Sequence, residues 1–141
     1  MSRVYWDSML FIYWLEDHPE YARRVEAIHS RMEQRNDKLI TSAFTFGEVF
    51  AGACRKGSPH LADEMRSLLR NAVEEVIPFT FETADHYARI RGTSSVTPAD
   101  AIHLACAAQA GTDLFMTNDK RLVGEIVPGI QFIASLDIQL L

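Results

Sequence analysis

Short runs of β-branched and aromatic residues alternate along this chain with longer stretches whose apolar residues recur at helical spacing. That alternation restricts the fold more than any other feature of the sequence. Arg3–Trp6 is a short β-type run. Ser8 opens an apolar helix through Leu15, and Pro19 is placed to start a second helix to about Gln34, with Tyr21, Val25, Ile28 and Met32 on one face. Leu39-Ile40-Thr41 reads as a buried strand. A helix is expected from about Thr45 to Arg55, with Phe46, Val49, Phe50 and Ala53 inward, until Gly57-Ser58-Pro59 breaks it. Leu61, Met65, Leu68 and Leu69 mark another amphipathic helix. Val76-Ile77-Pro78-Phe79 is the next strand, and its proline suits an edge or a strand end. Helices follow over Thr83–Arg91 and from Thr97-Pro98 to near Gly111. The strand Leu114–Thr117, a short helix Lys120–Ile126 and a last strand Ile130–Ile133 complete the pattern.

Strands that alternate with helices imply parallel β-α-β units with right-handed crossovers. The expected fold is α/β: three layers, α/β/α, around a central parallel sheet of about four or five strands. The 141 residues fit one domain, 1–141. In such sheets ligands bind beyond the carboxyl ends of the strands, at a topological switch point. Four acids fall on element junctions that border that crevice. Asp7 and Asp119 each follow a strand, and Glu48 and Asp100 are each expected in the first turn of a helix.

Each acid has a plain structural use. Thr45-x-x-Glu48 has the form of a capping box, and Thr97-Pro98-Ala99-Asp100 resembles one. Asp119 and Asp7 suit a helix cap and a strand-end turn. Four acids on one side of one sheet argue for more than four independent caps. A carboxylate cluster is a site for Mg²⁺ or Mn²⁺, since hard cations take oxygen ligands. Such ions promote phosphodiester hydrolysis by activating water and neutralising phosphate. The reading is a small metal-dependent nuclease with Asp7, Glu48, Asp100 and Asp119 as ligands and catalytic groups. Lys120 and Arg121 are the candidates for positioning backbone phosphates. His103, three residues after Asp100, suits packing or a hydrogen bond better than ligation. His18, His29, His60 and His86 are expected to face solvent, and Phe44, Phe46 and Phe50 to lie in the core.

Net charge is −5, a weak argument against a nucleic-acid partner, which bound divalent ions would reverse locally. Cys54 and Cys106 have no CxxC partner, and both read as reduced core or near-core thiols. No apolar stretch approaches a bilayer span, the first residues do not form a signal peptide, and a cytoplasmic location is the default. No GxGxxG or Walker-type loop supports nucleotide binding.

At these residues the chain resembles the PIN-domain ribonucleases, and among them the VapC-like toxins of type II toxin–antitoxin pairs. The matching segments are Val4-Tyr5-Trp6-Asp7-Ser8, Thr41 to Gly52 around Glu48, Thr97 to Ala105 around Asp100, and Leu114 to Leu122 around Asp119. The resemblance implies that these four acids form the family's acidic site. It implies that Ser8 is a hydroxyl beside the first acid, and that Thr117 and Asn118 are the polar residues before the last. Met9 departs from the pattern, standing where the family often has Asn or another small polar residue. The resemblance further implies an endoribonuclease acting on structured RNA such as tRNA or rRNA, a homodimer, and a small antitoxin that blocks the site.

Two other enzyme classes also place acids at strand ends. Haloacid-dehalogenase-like phosphatases need a DxD pattern, which Asp7-Ser8-Met9 lacks, and receiver domains need paired acids, which do not precede Asp7. The competing reading is a non-catalytic PIN-like binding module that acts through an antitoxin or nucleic acid.

Overall fold

Val4, Tyr5 and Trp6 are all fully buried, which three successive strand residues achieve only when a sheet is covered on both faces. The computed structural model describes residues 1–137, and it places these residues in the middle strand. The strands are β1 (Arg3–Trp6), β2 (Lys38–Ser42), β3 (Glu75–Ile77), β4 (Thr112–Thr117) and β5 (Ile130–Ser135). They form one sheet in the order β3-β2-β1-β4-β5, and every pairing is parallel.

Among the described residues six helices cover the sheet: α1 (Ser8–Leu15), α2 (Ala22–Arg35), α3 (Ala43–Lys56), α4 (Pro59–Ala72), α5 (Phe81–Thr93) and α6 (Pro98–Ala110). Alternation along β1 divides the core in two. Val4 and Trp6 pack with Leu10, Phe11, Val25, Val49 and Leu69 of α1–α4. Tyr5 points the other way, among Ile90, Ala101, Leu104 and Ala105 of α5 and α6. The fold is thus the three-layer α/β/α arrangement expected, with five strands. The chain leaves β1 for β2 and β3 on one side and returns through α5 and α6 to β4 on the other. The switch point lies between β1 and β4, and their carboxyl ends carry Asp7 and Asp119.

Local chemistry explains where elements begin and end differently from the sequence reading. Helix α2 starts at Ala22, because Pro19–Tyr21 form a turn in which the Glu20 and Tyr21 N–H groups donate to His18 Nδ1 at 3.1 and 3.2 Å. Helix α3 starts before Thr45: Ser42 is its N-cap and accepts from the Thr45 N–H. Thr45 is therefore an interior residue, and Glu48 stands in the second turn. The helix expected over Lys120–Ile126 is only a 3₁₀ turn, Lys120–Leu122. Cys54 is exposed and only Cys106 is buried, a correction to the expected pair of core thiols. His18 and His29 are half-buried against aromatic rings, Tyr13 and Tyr21 for one and Trp6 and Trp14 for the other, while His60 is exposed.

At the amino ends of the strands a second buried acid closes the sheet. The Asp37 side chain is fully buried, and its two oxygens accept from the Ser2 N–H at 2.8 Å and from Arg35 Nε at 3.0 Å. Arg3 donates its backbone N–H to Asp113 Oδ2 at 2.8 Å and its guanidinium to Glu75 at 2.9 Å. Gly129 precedes β5 with φ +101°, and a side chain there would meet the Ala108 carbonyl at 2.5 Å.

Candidate active site

The end of β1 fixes the first acid. Pairing of Trp6 with Met116 continues for one more bond, from the Asp7 N–H to the Met116 carbonyl at 3.2 Å. Asp7 then turns the chain into α1 as its N-cap, with Oδ1 accepting the Met9 N–H at 3.1 Å. Its other oxygen, Oδ2, accepts the Thr117 hydroxyl across the switch point at 2.6 Å. Asp7 is only 7% exposed, and no ion pair to it exists among the described residues. Burial pushes its carboxyl up to about 6, against the lowering influences of His103, the Thr117 hydroxyl and the Met9 amide, and Asp100 adds a further upward push.

The second acid is held from behind. Glu48 Oε1 accepts from the Ser8 hydroxyl and meets His103 Nε2 at 2.6 Å. His103 Nε2 also lies 3.3 Å from Ser8 Oγ, and its Nδ1 lies 2.8 Å from the Tyr5 hydroxyl. Tyr5 donates to Ser42 Oγ at 2.8 Å. Partial burial pushes the Glu48 carboxyl up, but the hydrogen bonds from His103 and Ser8 outweigh it and leave it below its ordinary value. Burial raises the Tyr5 hydroxyl well above the usual phenol range, so it remains protonated. This chain runs from the site into the core between β1, β2 and α6.

The outer acids differ from these. Asp100 lies half-buried in the first turn of α6, where its N–H donates to the Thr97 cap at 3.2 Å. Like Asp7, it forms no ion pair among the described residues. Asp119 caps the 3₁₀ turn by accepting the Arg121 N–H, and its two oxygens also take the Arg121 guanidinium at 3.0 and 2.8 Å. Those bonds hold its carboxyl below the ordinary value. Lys120 pairs with Asp137 at 3.1 Å. Thus both cations expected to meet phosphate are engaged with acids of the chain itself. Asn118 donates to the Tyr13 hydroxyl at 2.8 Å rather than to any of the four acids.

Among the described residues no three His, Cys, Asp or Glu side chains stand close enough together to hold one ion. The donor chemistry nevertheless suits a hard divalent cation. Carboxylate oxygens border the crevice, and the most buried of them, Asp7, lacks a cationic partner among the described residues. A buried acid in that state disfavours its own charge, and an oxygen-seeking cation would remove that penalty. Asp7 and Asp100 lack a cationic partner among the described residues; Asp119 has both oxygens on Arg121, whereas Glu48 is held through Oε1 alone by Ser8 and His103, which leaves Oε2 to face an ion.

The sequence reading set His103 apart without its partners and missed Tyr5 and Ser42. A faint signal was present. A tyrosine inside a buried strand needs a partner for its hydroxyl, and His103 is the polar ring on the buried face of α6. Phe44 sits half-buried, edge-on to that imidazole at 5.2 Å.

A sequence model of the PIN domain matches residues 4–124. No curated protein sequence matches the chain. Several solved structures share its fold at low identity. One is a chain of the VapBC2 complex of Rickettsia felis bound to a promoter DNA fragment: 14% identity, TM-score 0.72, covering 94% of this chain and 98% of that one. A toxin–antitoxin complex from Klebsiella pneumoniae gives 21% identity and TM-score 0.66 over 90% and 94% of the two chains. FitAB bound to the IR36 DNA fragment gives 20% identity and TM-score 0.72 over 96% of each.

Proposed function

The chain belongs to the PIN-domain family, and on that premise we propose that it is a divalent-metal-dependent endoribonuclease and the toxin of a toxin–antitoxin pair. The observation that carries this reading is Asp7: a buried carboxylate at the switch point, with no cationic partner among the described residues and with Asp100 adding to the upward push on its carboxyl. The Klebsiella pneumoniae structure supports the toxin role, being described as a toxin–antitoxin complex.

Asp7 and Asp100 would hold Mg²⁺ or Mn²⁺, with Asp119 and Glu48 completing the acidic site. Such an ion, when bound, neutralises phosphate charge and yields a strong nucleophile from water near neutral pH. The chain's own residues do the rest. Thr117 and the Met9 amide orient the two oxygens of Asp7. Ser8 and His103 orient Glu48. Arg121 must leave Asp119, and Lys120 must leave Asp137, before either can position a backbone phosphate. The substrate class is structured RNA, tRNA or rRNA, the assembly a homodimer, the partner a cognate antitoxin and the compartment the cytoplasm.

A second reading, a non-catalytic binding module, draws on the closure of Asp119 by Arg121. One experiment separates the two. The purified chain, freed of any partner, is incubated with total cellular RNA in Mn²⁺, Mg²⁺ or EDTA, beside Asp7→Asn. Discrete cleavage that needs metal and disappears in the variant supports the nuclease. A folded chain that cleaves nothing under any metal supports the module.

A further inference from the structure

Glu48 owes its place to the core rather than to its own helix. It lies in the second turn of α3, a third of its side chain is exposed, and its carboxylate's hydrogen bonds among the described residues come from other helices. What fixes it arrives from α1 and α6. The Ser8 hydroxyl donates to Oε1, and His103 brings Nε2 to the same oxygen at 2.6 Å. With Glu48 ionised, Nε2 must be the donor in that contact, since a carboxylate only accepts. The imidazole is itself immobile. It is 4% exposed, its Nδ1 lies 2.8 Å from the Tyr5 hydroxyl, and its ring meets Tyr5 and Phe44 edge-on at 5.9 and 5.2 Å. Tyr5 is stacked on Phe115 at 5.0 Å and tied to Ser42, the N-cap of α3.

We propose that His103 is a positioning residue for the acidic site: anchored by Tyr5 and Ser42, it aims Glu48 at the crevice where Asp7 ends β1. This deepens the nuclease reading and rests on it only for the catalytic consequence. The same tyrosine hydroxyl touches the cap of the helix that carries Glu48 and the ring that orients Glu48. The backbone position of α3 and the rotamer of its acid are therefore set from one point. Hydrogen-bonded supports of this kind govern metal affinity and activity by roughly 10- to 100-fold.

The test compares wild type with His103→Leu, His103→Gln and Tyr5→Phe, each checked for folding by thermal melting. Mn²⁺ affinity is measured by calorimetry, RNA cleavage is measured in parallel, and the His103 ring ¹⁵N signals are followed without metal. The expected result is a fall of roughly 10- to 100-fold in Mn²⁺ affinity for His103→Leu. His103→Gln, which keeps an N–H at the same reach, recovers part of it, and Tyr5→Phe falls between. The Nε2 signal should shift on Glu48→Gln. A folded His103→Leu that binds Mn²⁺ as wild type does, a glutamine variant no better than leucine, or an Nε2 signal indifferent to Glu48→Gln overturns the proposal. A wild-type chain that shows the affinity pattern but cleaves no RNA leaves the positioning role standing and overturns the nuclease.

Discussion

Asp7 and Asp37 are both buried aspartates at strand ends, one at each end of the sheet, and they are satisfied in opposite ways. Asp37 receives a backbone N–H and the Arg35 guanidinium, so its charge is answered where it sits. Asp7 receives a backbone N–H and a hydroxyl but no cation, and its carboxyl rises to about 6. Burial alone does not distinguish a structural acid from a chemical one. The distinction lies in what the two oxygens face. Asp37 closes the amino end of the sheet as a finished contact, whereas Asp7 leaves a buried carboxylate at the carboxyl end with no cation beside it among the described residues.

The largest effect that would sharpen this contrast is on cleavage. Asp7→Asn keeps the shape and the N-cap geometry, so RNA cleavage should fall below detection while the melting temperature holds or rises. A variant that cleaves as wild type does would break the comparison outright. The next effect is a pH dependence. The folded chain keeps the Asp7 proton up to about 6, while an ordinary aspartate releases it near 3.8. Between those values the folded state binds the extra proton. This contribution to stability is therefore full below about pH 4 and is lost as pH rises through about 6, on the order of 3 kcal/mol. Metal-free wild type should lose that stability relative to Asp7→Asn across the interval, read as the difference between two melting-temperature profiles. Glu48 and Asp119, whose carboxyls are lowered, act in the opposite direction in both proteins and cancel in that difference. Saturating Mn²⁺ should abolish it.

A smaller effect is expected at the other end. Asp37→Ala should cost about 1–2 kcal/mol in a denaturant titration, discounted because Arg35 is partly exposed, with cleavage per folded molecule unchanged. The smallest concerns Arg121→Ala. The solvent-exposed pair with Asp119 should leave the melting temperature almost unchanged, while Mn²⁺ binding tightens as the carboxylate is released. Weaker Mn²⁺ binding in that variant would mean that Arg121 does not compete for Asp119.

Much of this was legible in the sequence because it rests on period and punctuation. Val4-Tyr5-Trp6, Leu39-Ile40 and Leu114-Phe115-Met116 are apolar on both faces, as buried parallel strands must be. Thr97-Pro98 announces a helix start, and Gly57-Ser58-Pro59 a helix end, that the structure keeps. What failed was local competition. Ser42 and Thr45 are both capping residues three apart, and spacing alone did not decide between them. Gly124 and Pro128 lie too close to the Lys120 turn for a helix to continue. The supports of the acids were illegible for a different reason. Tyr5 meets His103, and Asp7 meets Thr117, across separations that only the strand order creates. Asp37 carried no motif at all, only neighbouring bases at Arg35 and Lys38.

Synthesis orders these parts in time as the sheet orders them in space. Of the five strands β1 is synthesised before the others, and its edge toward β4 has no partner until β4 is made. A partial chain that ends before β4 thus exposes Asp7 without Thr117 or Asp119 beside it. If the domain is the nuclease proposed above, the nascent polypeptide is inert toward the RNA around it. The central strand then serves as a latch that the last part of the domain must close before any cutting can begin.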